Sequence, residues 1–149
     1  MLTLETVKNK VQKMLIDLNG GIRIDKDGDF EIIYNSAHVF ISIEEIGPDD
    51  NKRFIVRFVS PMVFKVPVTH ELCLHIATEG TNYRFGCINL NLKEDGKTGD
   101  LYFVHTILAN DLDQSEVDNA IKAVLFTAEG LDTELHKKFG GEMFGRDED

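Results

Sequence analysis

The sequence predicts an α+β domain in which helices pack on an antiparallel β-sheet. Segments near both ends of the chain repeat apolar residues at the spacing of an amphipathic helix. Between them, short runs of alternating apolar and polar residues are separated by glycine-containing turns, which is typical of antiparallel strands. Read in order, these segments give α-β-β-β-β-α-β-β-α, and we expect one domain over residues 1–149.

The first helix is predicted from an apolar stripe that begins after Thr3, which we expect to be its N-cap. Gly20 and Gly21 follow the stripe and are expected to end the helix, as glycine commonly does. The stripe consists of Leu4, Val7, Val11, Met14, Leu15 and Leu18.

The stretch "DKDGDFEIIY" has the alternating aspartates of a calcium loop. An EF-hand loop, however, needs glycine at its sixth position and glutamate at its twelfth, where this chain has Phe30 and Ser36. A hairpin with a three-residue loop over 26–28 fits better. It places Gly28 at the left-handed position and pairs Ile24 with Phe30. We therefore expect a turn between two strands and no metal site.

Strands are predicted on both sides of that turn, and two longer ones follow it. The third strand shows clean alternation, with Val39, Ile41 and Ile43 on one face. The "GPDDNK" segment has the composition of a turn into the fourth strand. The four predicted strands cover residues 21–24, 30–34, 38–46 and 53–64.

A short helix capped by Thr69 is predicted next, with Leu72, Cys73 and Ile76 facing inward. Ile88, Leu90 and Leu92 then alternate with asparagines in a strand. The turn "KEDGKTGD" leads into a further strand over 101–108.

The closing helix begins with a capping box formed by Asp113 and Glu116. Gly140 and Gly141 are expected to end it, and residues 143–149, which finish with three acidic residues, are expected to form a loose tail. Its apolar stripe consists of Val117, Ala120, Ile121, Val124, Ala128, Leu131 and Leu135.

Composition excludes several classes of partner. Acidic residues outnumber basic ones by 26 to 16, giving a formal net charge of −10, which disfavours nucleic acid and anionic membrane surfaces. No apolar run approaches the roughly 20 residues of a membrane helix. The two cysteines, Cys73 and Cys87, lie in apolar segments and indicate buried thiols in a reducing compartment. We expect a cytoplasmic protein.

Individual residues give little sign of chemistry. In "HELCLH" the two histidines are five positions apart, so their rings cannot share one metal as in the zinc-protease motif. His105 alternates with Phe103 and Ile107 and is expected to point into the core or an interface. The sequence therefore predicts no catalytic residue, no metal and no cofactor. The alternative is a small-molecule-binding or hydrolytic domain that uses His105 or a cysteine.

The run "FIVRFVSPMVFKVP" has large apolar side chains on both alternating faces, with Ile55, Val59 and Val63 opposite the phenylalanines. Either one face contacts a partner, or the run is a covered central strand with a bend at Pro61. Under the first interpretation we expect partner-binding anchors, although each could equally be core. The candidate anchors are Phe54, Phe58, Met62, Phe64, Tyr83 and Phe85.

Residues 66–141 resemble the YbjN family. The resemblance rests on the Val66-Pro67 entry to a short helix, the Asn82-x-x-Phe85-Gly86 entry to a strand and the hairpin at Gly96. A long closing helix after an acidic segment also matches, and the first half is similar in the order of its elements. The family resembles type III secretion chaperones in fold, often as homodimers, and many members are labelled sensory transduction regulators.

The resemblance implies a peptide-binding, chaperone-like or regulatory adaptor in the bacterial cytosol, without catalysis. Our leading hypothesis is therefore a non-enzymatic module that binds a protein or peptide segment through apolar sheet surface. Addition of the bound segment to the sheet as an extra strand is one way in which it could bind. A homodimer whose exposed face is its own interface is the other interpretation of the apolar surplus.

Overall fold

A computed structural model describes residues 1–19, 22–34 and 37–145 of the chain. Its element order confirms the α+β class and the predicted succession of helices and strands, and adds one short C-terminal strand. The elements are α1 (Leu4–Asn19), β1 (Arg23–Ile24), β2 (Phe30–Tyr34), β3 (Ala37–Ile46), β4 (Arg53–Pro67), α2 (His70–Thr78), β5 (Cys87–Leu92), β6 (Thr98–Leu108), α3 (Gln114–Phe139) and β7 (Glu142–Met143).

The strands form one seven-stranded antiparallel sheet in the order β1-β2-β3-β4-β6-β5, with β7 paired to β4. Strand β4 is central, because it pairs with β3 on one side and with β6 on the other. The hairpin between β1 and β2 has the predicted register, with Ile24 opposite Phe30. Gly28 has a φ of +83°, which confirms the left-handed position of the three-residue loop.

The three helices of the described residues pack on one face of this sheet. Phe54, Val56 and Phe58 of β4 point towards them and are at most 2% exposed. Burial of each such side chain contributes about 1.5–3 kcal/mol to stability. Val7, Val11 and Leu15 of α1, Val39 and Ile41 of β3, Leu72 of α2, Phe103 of β6, and Val117, Val124 and Leu135 of α3 belong to the same core.

Local capping begins the helices as the sequence predicts. The Thr3 and Thr69 hydroxyls each accept a hydrogen bond from the backbone N–H three residues later, at 3.2 and 3.1 Å. Asp113 and Glu116 form both bonds of the capping box, at 2.9 and 2.8 Å. The Leu18 side chain and the stop expected at residues 20–21 lie outside the described residues. None of the described helices is both long and apolar enough to cross a membrane.

A bulge at Pro61 changes which side chains of β4 face the helices. The register with β6 shifts between Pro61 and Val63. The prediction that Val63 shares a face with Ile55 and Val59 is therefore wrong, because the extra residue turns Val63 to the helix side. It is 0% exposed there and lies opposite Leu101.

The prediction of a buried Cys73 is also wrong. Neighbouring residues on a helix are about 100° apart, so only one of the pair Leu72 and Cys73 can face the sheet squarely. Leu72 takes that position at 0% exposure and Cys73 is exposed. Cys87 is half-buried in β5, and both thiols are free.

The C-terminal segment differs from the expected loose tail. Gly140 and Gly141, with φ of +83° and +86°, reverse the chain after α3. Glu142–Met143 then pair antiparallel with β4, and the Phe144 N–H donates to the Met62 carbonyl at 3.1 Å. The rest of the expected tail, residues 146–149, lies outside the described residues.

Candidate functional site

The face of the sheet opposite the helices is the candidate functional surface, and among the described residues no helix lies on it. We call it the open face. Along the first part of β4 the open face is formed by Ile55, Arg57 and Val59, each half-buried, which alternate with the buried phenylalanines. An antiparallel sheet usually presents polar side chains on its solvent face, so two apolar residues in three are unusual here.

One row of open-face side chains is apolar across four neighbouring strands. The register places Phe40 of β3 beside Val59 of β4, Val59 beside Val104 of β6, and Val104 beside Cys87 of β5. Side chains directly opposite each other in antiparallel strands are in contact range. Phe40 and Val59 are half-buried, and Val104 is 8% exposed. We call these four residues the apolar row. The next row is polar and consists of Ser42, Arg57 and Thr106.

A groove of about 710 Å³ borders the apolar row on its β5 side. Its lining joins Val59 and Val104 to Tyr102 and extends past β5 to Ile76 of α2. Arg57 supplies the positive charge at this groove. A concave surface with an apolar floor and polar sides can hold an extended chain whose alternate side chains point down.

An aromatic cluster continues the open face towards the end of β4. The ring centroid of Phe64 lies 5.6 Å from that of Tyr102 and 5.3 Å from that of Phe144. Phe144 in turn lies 5.1 Å from His38 and 6.5 Å from Phe40, so the cluster reaches the apolar row. Burial raises the pKa of Tyr102 above the ordinary value of 10.0, and so further above physiological pH, at which a phenol is already neutral.

A second irregularity in β4 follows Phe64, which the first bulge already places on the open face. Lys65 has a φ of +55°, and its backbone N–H donates to the Asp100 carboxylate at 3.1 Å. Asp100 is 4% exposed and forms an ion pair with Lys93 at 2.8 Å. Its hydrogen bond to Lys93 raises the pKa of that amine. A bulge of this kind re-aims side chains, and here it returns the buried Val66 to the helix side of the sheet.

Three of the six predicted anchors lie in the core. Phe54, Phe58 and Met62 are 2%, 0% and 1% exposed, on the helix side of the sheet. The core interpretation therefore holds for these three. A partner cannot contact them without opening the fold.

The other three predicted anchors lie at the surface but not together. Phe64 belongs to the open face. Tyr83 is half-buried and packs edge-on against Phe103 of the core, with centroids 5.4 Å apart. Phe85 is 55% exposed and lies 5.9 Å from His105. Partner binding by these residues stays a prediction.

Four residues of the open face, Phe40, Val104, Tyr102 and Phe144, are not singled out by the sequence as binding residues. For the first three, the alternation along the strand shows that they lie on the face opposite the buried residues. That signal becomes useful only once the strand order is known. Phe144 carries no periodic signal, since β7 is two residues long.

His105 lies on the helix side, as its alternation with Phe103 and Ile107 predicts. Its ring stacks on Phe58 with centroids 6.5 Å apart. It also borders a groove of about 570 Å³ together with Glu116. The Glu116 carboxylate, however, accepts from the Asp113 N–H in the capping box. Among the described residues, no hydrogen bond or ion pair joins His105 to an acid, so nothing supports the alternative of a His105-based site.

We expect His105 to make stability depend on pH. Burial lowers its pKa below the ordinary 6.5, so the unfolded state binds a proton more readily than the folded state does. The stability is complete above pH 6.5 and is lost as the pH falls from there through the folded pKa. Urea unfolding between pH 7.5 and 5 measures this loss. His105→Gln should flatten the curve in that window, and an unchanged slope would contradict the assignment.

Metal ligands and cysteine thiols are the other groups in the described residues that could carry chemistry. Within the described ranges, no three or more His, Cys, Asp or Glu residues are grouped closely enough to hold a metal ion. The Cys87 thiol donates to the Asn89 side chain at 3.5 Å and has an amide, not a base, as its neighbour. His70 and Glu71 lie in the exposed first turn of α2.

Solved structures share this fold. YbjN of E. coli, described as a putative transcription regulator, superposes with a TM-score of 0.66 at 9% identity, covering 88% of this chain and 92% of that one. The ExsC–ExsE complex superposes with a TM-score of 0.55 at 16% sequence identity, covering 85% of this chain and 93% of that one. The Yersinia pestis type III secretion chaperone SycH was solved in complex with a YscM2 fragment. It superposes with a TM-score of 0.52 at 11% sequence identity, covering 84% of this chain and 98% of that one. At these identities the likeness shows the fold alone.

Family assignment comes from the sequence itself. No curated protein sequence matches the chain. The model of one family, described as T3SS (YopN, CesT) and YbjN peptide-binding chaperone 1, matches residues 3–147. The predicted YbjN resemblance is thereby confirmed. Because the match spans nearly the whole chain, this protein is a peptide-binding, chaperone-like module and belongs to the TY-Chap1 family of type III secretion and YbjN chaperones.

Proposed function

We propose that the chain binds an extended segment of a partner protein along the open face of its sheet and catalyses no reaction. The observation that carries the proposal is the apolar row, in which Phe40, Val59 and Val104 lie side by side on the face opposite the helices. Membership of a peptide-binding chaperone family supports the class of ligand.

The chemistry of the open face fits an extended chain better than a folded domain. The row spans three inter-strand spacings of about 4.8 Å, roughly 14 Å, which an extended segment of four or five residues covers. Alternate apolar side chains would enter the row, while the polar row through Arg57 would face the segment's carbonyl groups. A small apolar centre with a polar rim is the usual anatomy of a protein interface.

The proposal places the protein in the bacterial cytosol as a monomer or homodimer. The net charge of −10 keeps such a chain soluble and suits a partner segment with basic flanks. Two structures with the same fold are complexes with another protein, ExsE in one and a YscM2 fragment in the other. Those partners belong to those proteins, and they support the idea of a protein ligand here.

Native capture from the source cytosol tests this function, with analytical sedimentation of the purified complex alongside. We expect one partner protein in a fixed molar ratio to the chain, because a specific segment occupies one row. The recovered partner is then cut into overlapping peptides, and the binding peptide should contain alternating apolar residues. A stable homodimer that captures nothing would contradict the proposal and would assign the open face to self-association.

A further inference from the structure

The C-terminal segment of the chain already pairs as a strand with one edge of β4, the edge with which β3 also pairs. The paired part of β3 ends where Phe40 meets Val59, and β3 itself begins at Ala37. Strand β7 lies in line with β3 along the next part of the same β4 edge, opposite Val63 and Phe64. An extended segment therefore adds to this edge in the structure itself.

Three interactions of β7 define what this position accepts. The first is backbone pairing, extended by the Phe144 N–H bond to Met62. The second is the ion pair between Glu142 and the Lys65 amine at 3.4 Å. The third is the Phe144 ring, which sits among the rings of the aromatic cluster. We call the β4 edge at 62–65, together with His38 and Phe40, the terminal-strand site.

The hold of β7 on this site is weak. It has two residues in ladder pairing, whereas isolated strand pairs of that length are marginal in water. Its ion pair is 64% exposed at Lys65 and 51% exposed at Glu142, and exposed pairs stabilise little. A cavity of about 350 Å³ borders Phe144 and is lined by His38, Phe64 and Met143 among others. The site thus has room for a larger side chain than the one it holds.

We propose that the terminal-strand site is a binding site for partner segments and that β7 is its tethered competitor. The ligand class follows from β7: an extended peptide with an acidic residue two positions before an aromatic one. This inference rests on the proposed function, since it extends the ligand from the apolar row to the adjoining edge. An intramolecular segment on a short tether acts at an effective concentration of about millimolar, so a partner must bind more tightly than β7 to displace it.

The test uses the full ¹⁵N-labelled chain and a capped peptide with the sequence of residues 140–145. In the Phe144→Ala variant the competitor loses its ring, so the peptide should bind with an apparent Kd at least about 10-fold lower than to the unaltered chain. Amide shifts should centre on residues 62–65 and on His38. The same peptide with alanine in place of phenylalanine is the matched control and should cause no shifts.

A second variant guards against an effect of Phe144→Ala on folding. A Cβ atom at Gly141 would lie 2.6 Å from the Phe64 carbonyl oxygen, so Gly141→Ala should release β7 while leaving the site unaltered. It should raise peptide affinity as Phe144→Ala does. Any of three results would overturn the inference. The first is equal affinity of the peptide for the unaltered chain, Phe144→Ala and Gly141→Ala. The second is amide shifts that lie elsewhere on the sheet, and the third is no binding of the peptide to either variant at millimolar concentration.

Failure here is distinguishable from failure of the proposed function. A chain that loses its captured partner when Val59 is changed, but shows no gain from releasing β7, keeps the apolar row as the binding surface and excludes the terminal-strand site. A chain that keeps its partner after the change at Val59 loses the proposed function, whatever the peptide titration gives.

Discussion

Phe58→Ala is expected to lower the free energy of unfolding by about 3–5 kcal/mol, the usual cost of removing a buried phenylalanine ring. Phe58 is 0% exposed in the central strand and stacks on His105, so the change leaves a cavity beneath the helices. For a chain of this size the loss corresponds to a fall in Tm of roughly 6–20 °C. Urea denaturation followed by circular dichroism measures it.

Phe64→Ala is the matched control, with the same chemical change six residues further along β4. Phe64 is half-buried on the open face and contacts Tyr102 and Phe144. We expect about 1–2 kcal/mol of destabilisation, because less apolar area is lost and no closed cavity forms. Partner binding should weaken while the fold survives. Equal losses of stability for the two variants would mean that the helix-covered and open faces have been assigned wrongly.

Val59→Glu is expected to abolish partner capture while leaving the fold intact. Val59 is at the centre of the apolar row, with Phe40 and Val104 as its cross-strand neighbours. A carboxylate there must be desolvated when an apolar segment binds, and centrally placed anchors are typically worth at least 2 kcal/mol, or about 30-fold in affinity. Arg57, two residues earlier on the same face, gives the new charge a partner in the free chain.

Ile16→Glu provides the control for this prediction. Ile16 is a β-branched apolar residue on α1 with 43% exposure, so the same change adds the same charge on the other side of the molecule. Titration of the purified partner against the three chains, with thermal unfolding as a check of folding, gives the comparison. Equal affinity of the unaltered and Val59→Glu chains would remove the apolar row from the account. Loss in Ile16→Glu alone would move the binding surface to the helices.

Local chemistry made much of the fold predictable. The hairpin around Gly28 follows from three residues, because a left-handed position in a short loop fixes which strand residues are paired. Thr69 and the Asp113–Glu116 box likewise mark where α2 and α3 begin, since a side-chain acceptor three residues before an N–H is a local signal.

The two faces of β4 could not be assigned from the sequence. Alternation shows that Phe54, Val56 and Phe58 share a face, but both faces of the strand are apolar, so the pattern does not say which one the helices cover. The turn of Phe64 to the open face depends on a bulge between Pro61 and Val63 in the pairing with β6, a strand far away in the chain. Contacts of that separation leave no periodic trace in the sequence.

The C-terminal strand could not be predicted either, because it too depends on contacts between residues far apart in the chain. Phe144 lies in a stretch whose composition is that of an acidic tail, and its contacts are with His38 and Phe64, far away in the chain. Two glycines with positive φ make the reversal possible. They read equally well as a simple end of α3, and only the fold shows where the chain goes next.

Hydroxyl-radical footprinting of the chain with and without its purified partner tests the central claim most directly, because it reports side-chain exposure on both faces in one experiment. If the partner segment lies on the open face, labelling of Phe40 and Tyr102 should fall sharply on binding. Phe126 and Leu74, which are 56% and 54% exposed on α3 and α2, should be labelled as before. Protection of Phe126 or Leu74 with unchanged labelling of Phe40 and Tyr102 would contradict the account.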